Sequence, residues 1–277
     1  SYNVAIKVCG DAGKGKTAVA LLREMKAELS VLPSVISYTT AIAACGKGDQ
    51  WKQALELLRE MASMGVSPNK TTYAAAITAC GNSGRWEEAL SLLREMPAKG
   101  ADPDIASYTA AIKACGKGGQ WEMALTLLRE MPSMGFSPND RTYNAAIKAC
   151  GNGGQSEMAL TLLREMPSLS VPPNVISYTA AIKACGDGGQ WEMALTLLRE
   201  MASMGVSPNF FTYNAALMAC SCPDGGRWGK ALELLEEMAC RGIAPNAVTH
   251  ESALAACGEA GRDEAGRVLA DMSSRLW

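Results

Sequence analysis

The feature that most constrains this sequence is a period of 35 residues. A tyrosine recurs with successive steps of 36, 35, 35, 35, 35 and 35 residues, and a histidine follows 37 residues after the last one. Self-similarity at a fixed period of about 20 to 50 residues is typical of a solenoid, in which each unit buries its apolar side only against its neighbours. The anchor positions are Tyr2, Tyr38, Tyr73, Tyr108, Tyr143, Tyr178, Tyr213 and His250.

Each repeat contains two segments whose apolar residues have helical spacing. In the repeat that begins at Ile105, the first segment (helix A) carries the stripe Tyr108, Ala111, Ile112 and Cys115. A glycine-rich turn at 116–119 ends it, and the second segment (helix B) carries Trp121, Ala124, Leu125, Leu128 and Met131. No stretch alternates as a strand does. We therefore expect an all-α fold of about fifteen or sixteen helices, a right-handed superhelical solenoid of antiparallel helix pairs.

The period predicts one solenoid over residues 1–277, with about seven full repeats and a partial eighth. The sequence begins inside one repeat and ends inside another, which favours a piece of a longer protein. No window approaches the roughly 18 consecutive apolar residues of a membrane helix, and no targeting peptide is visible. The repeats are expected near 1–34, 35–69, 70–104, 105–139, 140–174, 175–209, 210–246 and 247–277.

The chain has ten cysteines, and eight of them stand seven residues after the anchor residue. A small, buried, reduced residue explains this position, so we expect neither a disulfide framework nor a metal site. Free thiols at this density favour a reducing compartment. The eight are Cys9, Cys45, Cys80, Cys115, Cys150, Cys185, Cys220 and Cys257.

The segment 10–17, GDAGKGKT, matches the phosphate-binding pattern GxxxxGK[ST]. That pattern needs a parallel strand before it, whereas this segment aligns with the ordinary turns between helices A and B. The single histidine, His250, takes the place of an anchor tyrosine, and no paired carboxylates or metal-ligand spacing stand out. The sequence therefore predicts no catalytic residues, no cofactor, no metal and no small-molecule substrate.

The segments SYTAAIKACGKGGQWEMALTLLREMPSMGFSPN and TYNAAIKACGNGGQSEMALTLLREM resemble the pentatricopeptide repeat, P type. The resemblance lies in the [ST]-Tyr-[Asn/Thr] start, the small-residue helix A, the Gly-rich turn, the helix B ending in Glu-Met, and the closing Pro-Asn or Pro-Asp. It covers essentially the whole chain. The tetratricopeptide repeat fits less well, because its Trp-Leu-Gly-Tyr pattern is absent.

This resemblance implies binding of single-stranded RNA, one base per repeat. In the family, the residue after the anchor tyrosine and the last residue before the next repeat select the base together. Carried over, the pairs imply a rough preference 5'-C-A-N-A-Y-A-Y-3', and Glu251 of the last repeat matches no pairing. In order, the pairs are Asn3/Ser34, Thr39/Asn69, Ala74/Asp104, Thr109/Asn139, Asn144/Asn174, Thr179/Asn209 and Asn214/Asn246.

A simpler interpretation is open for both members of each pair. The asparagine that follows proline could be only a helix N-cap, and the residue after tyrosine only a solvated helix residue. The variation between repeats favours base reading. The residue after tyrosine changes among Asn, Thr and Ala while its neighbours barely change.

The net charge of −2 and the pI near 5.6 are unusual for a protein that binds nucleic acid. The distribution of charge answers this in part. Lysines recur five residues after the anchor, on the helical face of the base-reading residue, whereas acidic residues concentrate on helix B. We predict phosphate contacts by Lys7, Lys113, Lys148 and Lys183, and by Lys47 and Lys117 one turn later. Solubilising lysines are the alternative.

Two hypotheses follow. The first is a sequence-selective RNA adaptor that acts in organellar RNA processing, stability or translation, in a mitochondrion or chloroplast as the resemblance implies. The second is a protein-binding scaffold that docks into a larger assembly. RNA affinity that falls steeply with salt would favour the first, and stable co-purification with a complex after nuclease treatment would favour the second.

Overall fold

The computed structural model describes residues 2–28, 32–221, 227–257 and 262–275. These residues form sixteen α-helices and no strand, which confirms the all-α prediction. Odd-numbered helices are helices A and even-numbered ones are helices B. The helices are α1 (Tyr2–Asp11), α2 (Gly15–Ala27), α3 (Val35–Lys47), α4 (Trp51–Ser63), α5 (Lys70–Asn82), α6 (Trp86–Glu95), α7 (Ile105–Lys117), α8 (Trp121–Glu130), α9 (Asp140–Asn152), α10 (Ser156–Ser168), α11 (Val175–Asp187), α12 (Trp191–Ser203), α13 (Phe210–Cys220), α14 (Trp228–Cys240), α15 (Ala247–Cys257) and α16 (Arg262–Arg275).

Every helix A from α3 to α15 begins directly after a polar residue that caps it. Asp104, which is extended with φ −140°, accepts the backbone N–H of Ser107 at its Oδ1, 2.9 Å away. The Ser107 hydroxyl oxygen accepts the backbone N–H of Asp104 at 2.8 Å. This reciprocal capping box satisfies backbone donors that the first helical turn leaves unpaired.

A tight turn reverses the chain between helix A and helix B. In the fourth repeat, the Gln120 N–H donates to the Cys115 carbonyl at 2.9 Å, and Gly119 has φ +74°. This left-handed conformation is accessible to glycine without steric cost, which explains the glycine-rich turn.

The segment 10–17 with the phosphate-loop pattern forms this same turn. Helix α1 ends at Asp11, Gly13 has φ +68°, and the Lys14 N–H donates to the Cys9 carbonyl at 2.8 Å. A helix therefore precedes the pattern where a phosphate loop requires a strand.

The core combines the anchor stripe of helix A with the leucine and methionine stripe of helix B. Tyr38, Ile112 and Met131 are at most 1% exposed. Seven of the eight cysteines at the repeat position are buried, and Cys9 is half-buried. No helix of the described chain is long and apolar enough to span a membrane.

The chain divides into two compact units, residues 1–149 and 150–277. In the first unit, α1, α3, α5 and α7 pack side by side in order, and in the second α11, α13 and α15 do so. The contact is glycine against alanine. A Cβ atom added to Gly81 would lie 2.8 Å from the Ala114 Cβ, and one added to Gly186 would lie 2.8 Å from the Ala219 Cβ.

Candidate nucleic-acid interface

The last residue of each predicted pair is the N-cap of the next helix A. The Asn69 Oδ1 accepts both the backbone N–H and the hydroxyl of Thr72, each at 3.0 Å. Asn139, Asn209 and Asn246 have the same arrangement with Thr142, Thr212 and Thr249. In each, the Oδ1 atom is used by the protein, so the Nδ2 amide group is the end of the side chain that remains for a ligand.

In three repeats, the residue after the anchor tyrosine is joined to its N-cap partner by a hydrogen-bond relay. The Thr39 Oγ1 lies 2.7 Å from the Thr72 Oγ1, which bonds to Asn69. The corresponding hydroxyl pairs are Thr109 with Thr142 at 3.0 Å and Thr179 with Thr212 at 2.9 Å. Residues that are 30 apart in the sequence are therefore brought together as the pair hypothesis requires.

The seventh pair is in direct contact. The Asn214 Nδ2 lies 3.5 Å from the Asn246 Oδ1, and Asn214 is only 5% exposed. The Asn214 Oδ1 is buried and has no hydrogen-bond partner within the described chain. The same is true of the Asn3 Oδ1. A buried acceptor without a partner costs about 1–3 kcal/mol. Both atoms stand at the repeat position that directly follows the anchor tyrosine.

The third and first pairs show no relay of this kind within the described residues. Ala74 has no polar group, and its partner Asp104 uses Oδ1 to cap Ser107. The Ser34 hydroxyl lies 3.2 Å from that of Ser37.

The fifth pair, Asn144 and Asn174, has one member in each of the two compact units. Asn144 is 8% exposed. The Asn174 Oδ1 accepts the backbone N–H groups of Ile176 and Ser177 at 2.9 and 3.2 Å.

The simpler interpretation, that these residues are only helix N-caps and solvated helix residues, holds only in part. The asparagines are N-caps, but capping uses Oδ1 and leaves Nδ2. The residue after tyrosine is buried in three repeats, at Thr109, Asn144 and Asn214, and half-buried at Asn3, Thr39, Ala74 and Thr179, so it is not a fully solvated helix residue.

All six predicted phosphate-contacting lysines are exposed. Lys113 and Lys148 form no ion pair within the described residues. Lys183 pairs with Asp187 at 2.6 Å, and Lys117 donates to a backbone carbonyl at 3.2 Å. Lys7, Lys113, Lys148 and Lys183 occupy the predicted helix A position.

Lys47 is already paired within the protein. Its Nζ lies 2.7 Å from the Asp11 carboxylate. This hydrogen bond, with a smaller effect from Lys7, holds the pKa of the Asp11 carboxyl below its usual value.

One set of exposed apolar residues was not predicted from the sequence. The second position of helix A carries large apolar side chains that are exposed, and it lies two residues before the anchor tyrosine, off the apolar stripe. An apolar residue at such a position is the signal that could have identified them. They are Ile36, Ile176, Phe211 and Val248, which are 66%, 61%, 62% and 49% exposed.

Glutamates of helix B accept hydrogen bonds from the anchor tyrosines. The Tyr38 hydroxyl donates to Glu60 at 2.9 Å, and Tyr73, Tyr178 and Tyr213 donate likewise to Glu95, Glu200 and Glu237. Burial, together with the nearby glutamate, raises the pKa of Tyr73 and of Tyr178 to about 12. No group of His, Cys, Asp and Glu side chains within the described chain could hold a metal ion.

Two models of known families match this chain. The one described as "PPR repeat family" matches residues 33–82, 71–117, 103–152, 141–187 and 173–222. The one described as "PPR repeat" matches residues 1–28 and 211–243. The comparison with curated proteins found no match.

Several solved structures are similar. The pentatricopeptide repeat protein PPR10 from maize superposes with a TM-score of 0.72 at 32% identity, over 98% of this chain and 39% of that one. PPR10 in complex with an 18-nt psaJ RNA element gives 0.61 at 29% identity, over 99% and 43%. The chain thus spans about two fifths of PPR10. The PPR domain of Arabidopsis thaliana protein-only RNase P 1, in complex with tRNA, is 19% identical with a TM-score of 0.50, over 62% of this chain and 90% of that one, and shows the fold alone.

Proposed function

This chain belongs to the pentatricopeptide repeat family, and from that premise we propose that it binds single-stranded RNA and reads one base with each repeat. PPR10, at 29% identity in its RNA complex, supports the ligand class. The proposed role is in RNA processing, stability or translation.

The observation that carries the proposal is the pairing of polar side chains across neighbouring repeats. In each relay, a threonine hydroxyl and an asparagine amide are held by part-buried hydrogen bonds before any ligand arrives. Preorganised polar groups lose little conformational entropy when they bind. Such pairs are suited to the polar edge of an unstacked base.

We assign one base to each pair, which gives 5'-C-A-N-A-Y-A-Y-3'. The Thr/Asn pairs read adenine at the second, fourth and sixth bases. The Asn/Asn pairs read pyrimidines, Asn3/Ser34 reads cytosine, and Ala74/Asp104 reads its base loosely because alanine offers no hydrogen bond.

Two other groups of residues complete the proposed interface. Bases stack on exposed apolar and aromatic side chains, and Ile36, Ile176 and Phe211 supply such surfaces at the start of helix A. The exposed lysines five residues after the anchor contact phosphates, which positions the strand without reading its sequence.

The test concerns the fourth base. The chain is titrated with the unstructured probe 5'-CACACAC-3' and with probes that carry G, C or U at the fourth base, for the wild type and for Thr109→Asn. We expect the wild type to prefer A, and the variant to prefer C or U by about 1–2 kcal/mol, since asparagine offers different hydrogen-bonding groups. Asparagine is already accommodated at this repeat position by Asn144 and Asn214.

Probes changed at the second base are the control, because Thr39 and Asn69 are untouched and their preference for A should persist. Equal affinity of the wild type for all four probes contradicts base reading. Absence of RNA binding together with stable association with a protein complex after nuclease treatment would favour the scaffold instead.

The proposed compartment is a mitochondrion or chloroplast, which rests on the family resemblance alone. Fluorescence microscopy of the full-length protein in living cells tests it.

A further inference from the structure

One buried residue links the two base-reading side chains in each Thr/Asn pair. Thr72, Thr142 and Thr212 are each the third residue of a helix A and are 0% exposed. Each places its hydroxyl between the reading threonine of one repeat and the N-cap asparagine of the next. Because these hydroxyls are fully buried, they act on a base only through the two residues that they join.

The number of available protons gives the relay a direction. The Thr72 hydroxyl has one proton, which it donates to the Asn69 Oδ1 at 3.0 Å. The contact of 2.7 Å between Thr39 and Thr72 therefore uses the proton of Thr39. In the fourth repeat, the single Thr109 hydroxyl proton has two acceptors within reach, the Ile105 carbonyl at 2.6 Å and the Thr142 hydroxyl at 3.0 Å, so it is again used within the protein.

A reading pair with this direction presents one acceptor and one donor. The threonine oxygen retains lone pairs, and the asparagine exposes its Nδ2 amide group. Adenine offers the complementary groups on its Watson–Crick edge, the N6 amino donor and the N1 acceptor. Guanine has the same size but offers the reverse, the O6 acceptor and the N1–H donor. The relay thus favours adenine over guanine at both atoms.

The relay is present in the three Thr/Asn pairs, and the first, third and seventh pairs lack it within the described residues. Where the N-cap is Ser34 or Asp104, the third residue is a serine, and Ser107 donates to the backbone carbonyl of Asp104 at 2.8 Å. Thr249 caps through Asn246, but Asn214 contacts Asn246 directly.

We propose that Thr72, Thr142 and Thr212 are positioning residues that set discrimination between adenine and guanine by fixing the hydrogen-bond direction of the reading pair. This inference rests on the proposed RNA-reading function. Valine at these positions keeps the shape of threonine but removes the hydroxyl, so the reading threonine regains a proton to donate and the asparagine Oδ1 keeps only its bond from the backbone N–H.

The experiment measures the affinity ratio for the probes 5'-CACACAC-3' and 5'-CGCACAC-3', which differ at the base assigned to Thr39 and Asn69. We expect Thr72→Val to lower the ratio of adenine to guanine about three- to tenfold, the size of one net hydrogen bond. Thr72→Ser keeps the hydroxyl and should hold the ratio within about twofold of the wild type. Thr249→Val is the matched control, because it removes a cap bond in the seventh repeat without a relay, and should leave this ratio unchanged.

A loss of helix capping alone would weaken both probes equally and leave their ratio constant. An unchanged ratio in folded Thr72→Val, or an equal loss in Thr72→Ser, overturns the inference while the proposed function stands. If the wild type does not prefer adenine at this base, the base-reading proposal fails and this inference fails with it. Melting curves establish that each variant is folded.

Discussion

At the scale of single residues, the N-cap asparagine serves two purposes because its amide has two chemically different ends. The Oδ1 of Asn209 accepts the backbone N–H of Thr212 at 3.1 Å and its hydroxyl at 3.2 Å. The capping bond is worth about 1 kcal/mol to the helix. It also fixes which end of the amide is available to a ligand, so that helix capping does not compete with the base reading proposed above.

Five of the cysteines of helix A have thiols that burial makes unreactive. Burial raises the pKa of Cys45, Cys80, Cys115, Cys150 and Cys185 to about 11. Because the thiolate is the reactive form, these side chains serve as small apolar residues.

The raised thiol pKa values predict that stability falls in alkaline solution. Well below about pH 8.5, the usual pKa of a thiol, these groups are protonated in both the folded and the unfolded chain. Between about pH 9 and 11 only the unfolded chain loses the protons, so the free energy of unfolding decreases, by at most about 1.4 kcal/mol per pH unit for each thiol. Urea unfolding from pH 8 to 10.5 measures this slope.

A double variant, Cys115→Ala with Cys150→Ala, should have a shallower slope. Cys240→Ala is the control, since Cys240 is exposed. Identical slopes for the wild type and the double variant would contradict this account.

At the scale of the helices, close approach of neighbouring helices A depends on glycine. A Cβ atom at Gly116 would lie 2.7 Å from the Ala149 Cβ and 2.9 Å from its Cα. Because the second atom belongs to the backbone, a side-chain rotation cannot relieve the clash. The whole helix would have to shift, and the core packed behind it would be disturbed.

We expect Gly116→Ala to destabilise the protein by about 1–3 kcal/mol, the usual cost of overpacking a core. Gly229→Ala in α14 is the matched control, because no heavy atom lies within 4 Å of its added Cβ. It should instead stabilise by up to about 1 kcal/mol through helix propensity. Chemical denaturation measures both, and equal effects of the two changes would refute a role for close helix approach.

At the scale of the molecule, the net charge of −2 conceals a separation of charge. Helices A present exposed lysines, whereas glutamates of helices B accept the tyrosine hydroxyls. The local potential near exposed lysines such as Lys113 and Lys148 is therefore more positive than the net charge suggests. The lysines are not equivalent, since Lys47 is paired with Asp11 and Lys113 is not.

We predict that changing Lys113 and Lys148 together to Gln weakens binding by a similar factor for every RNA sequence. The slope of log affinity against log salt should become shallower by up to about 0.7 for each lost phosphate contact. The fold should persist, because both side chains are exposed and Gln is a good helix former. Salt titrations of binding provide the measurement.

Lys47→Gln is the comparison, and its effect should be smaller because Asp11 already neutralises that lysine. An unchanged salt slope in the double variant would show that these lysines only aid solubility.

The sequence alone determined the helix pairs and their buried faces, because the 35-residue period, the apolar stripes and the turn glycines are local patterns. It also indicated the reading positions, since the residue after the anchor varies where its neighbours do not. The exposed apolar residues such as Phe211 escaped notice, because exposure depends on what packs above a helix. Only the tertiary structure could decide the hydrogen bonds that join Thr39 to Asn69 through Thr72. Thr39 and Thr72 belong to neighbouring repeats, and the distance between them depends on how closely one helix A stacks on the next.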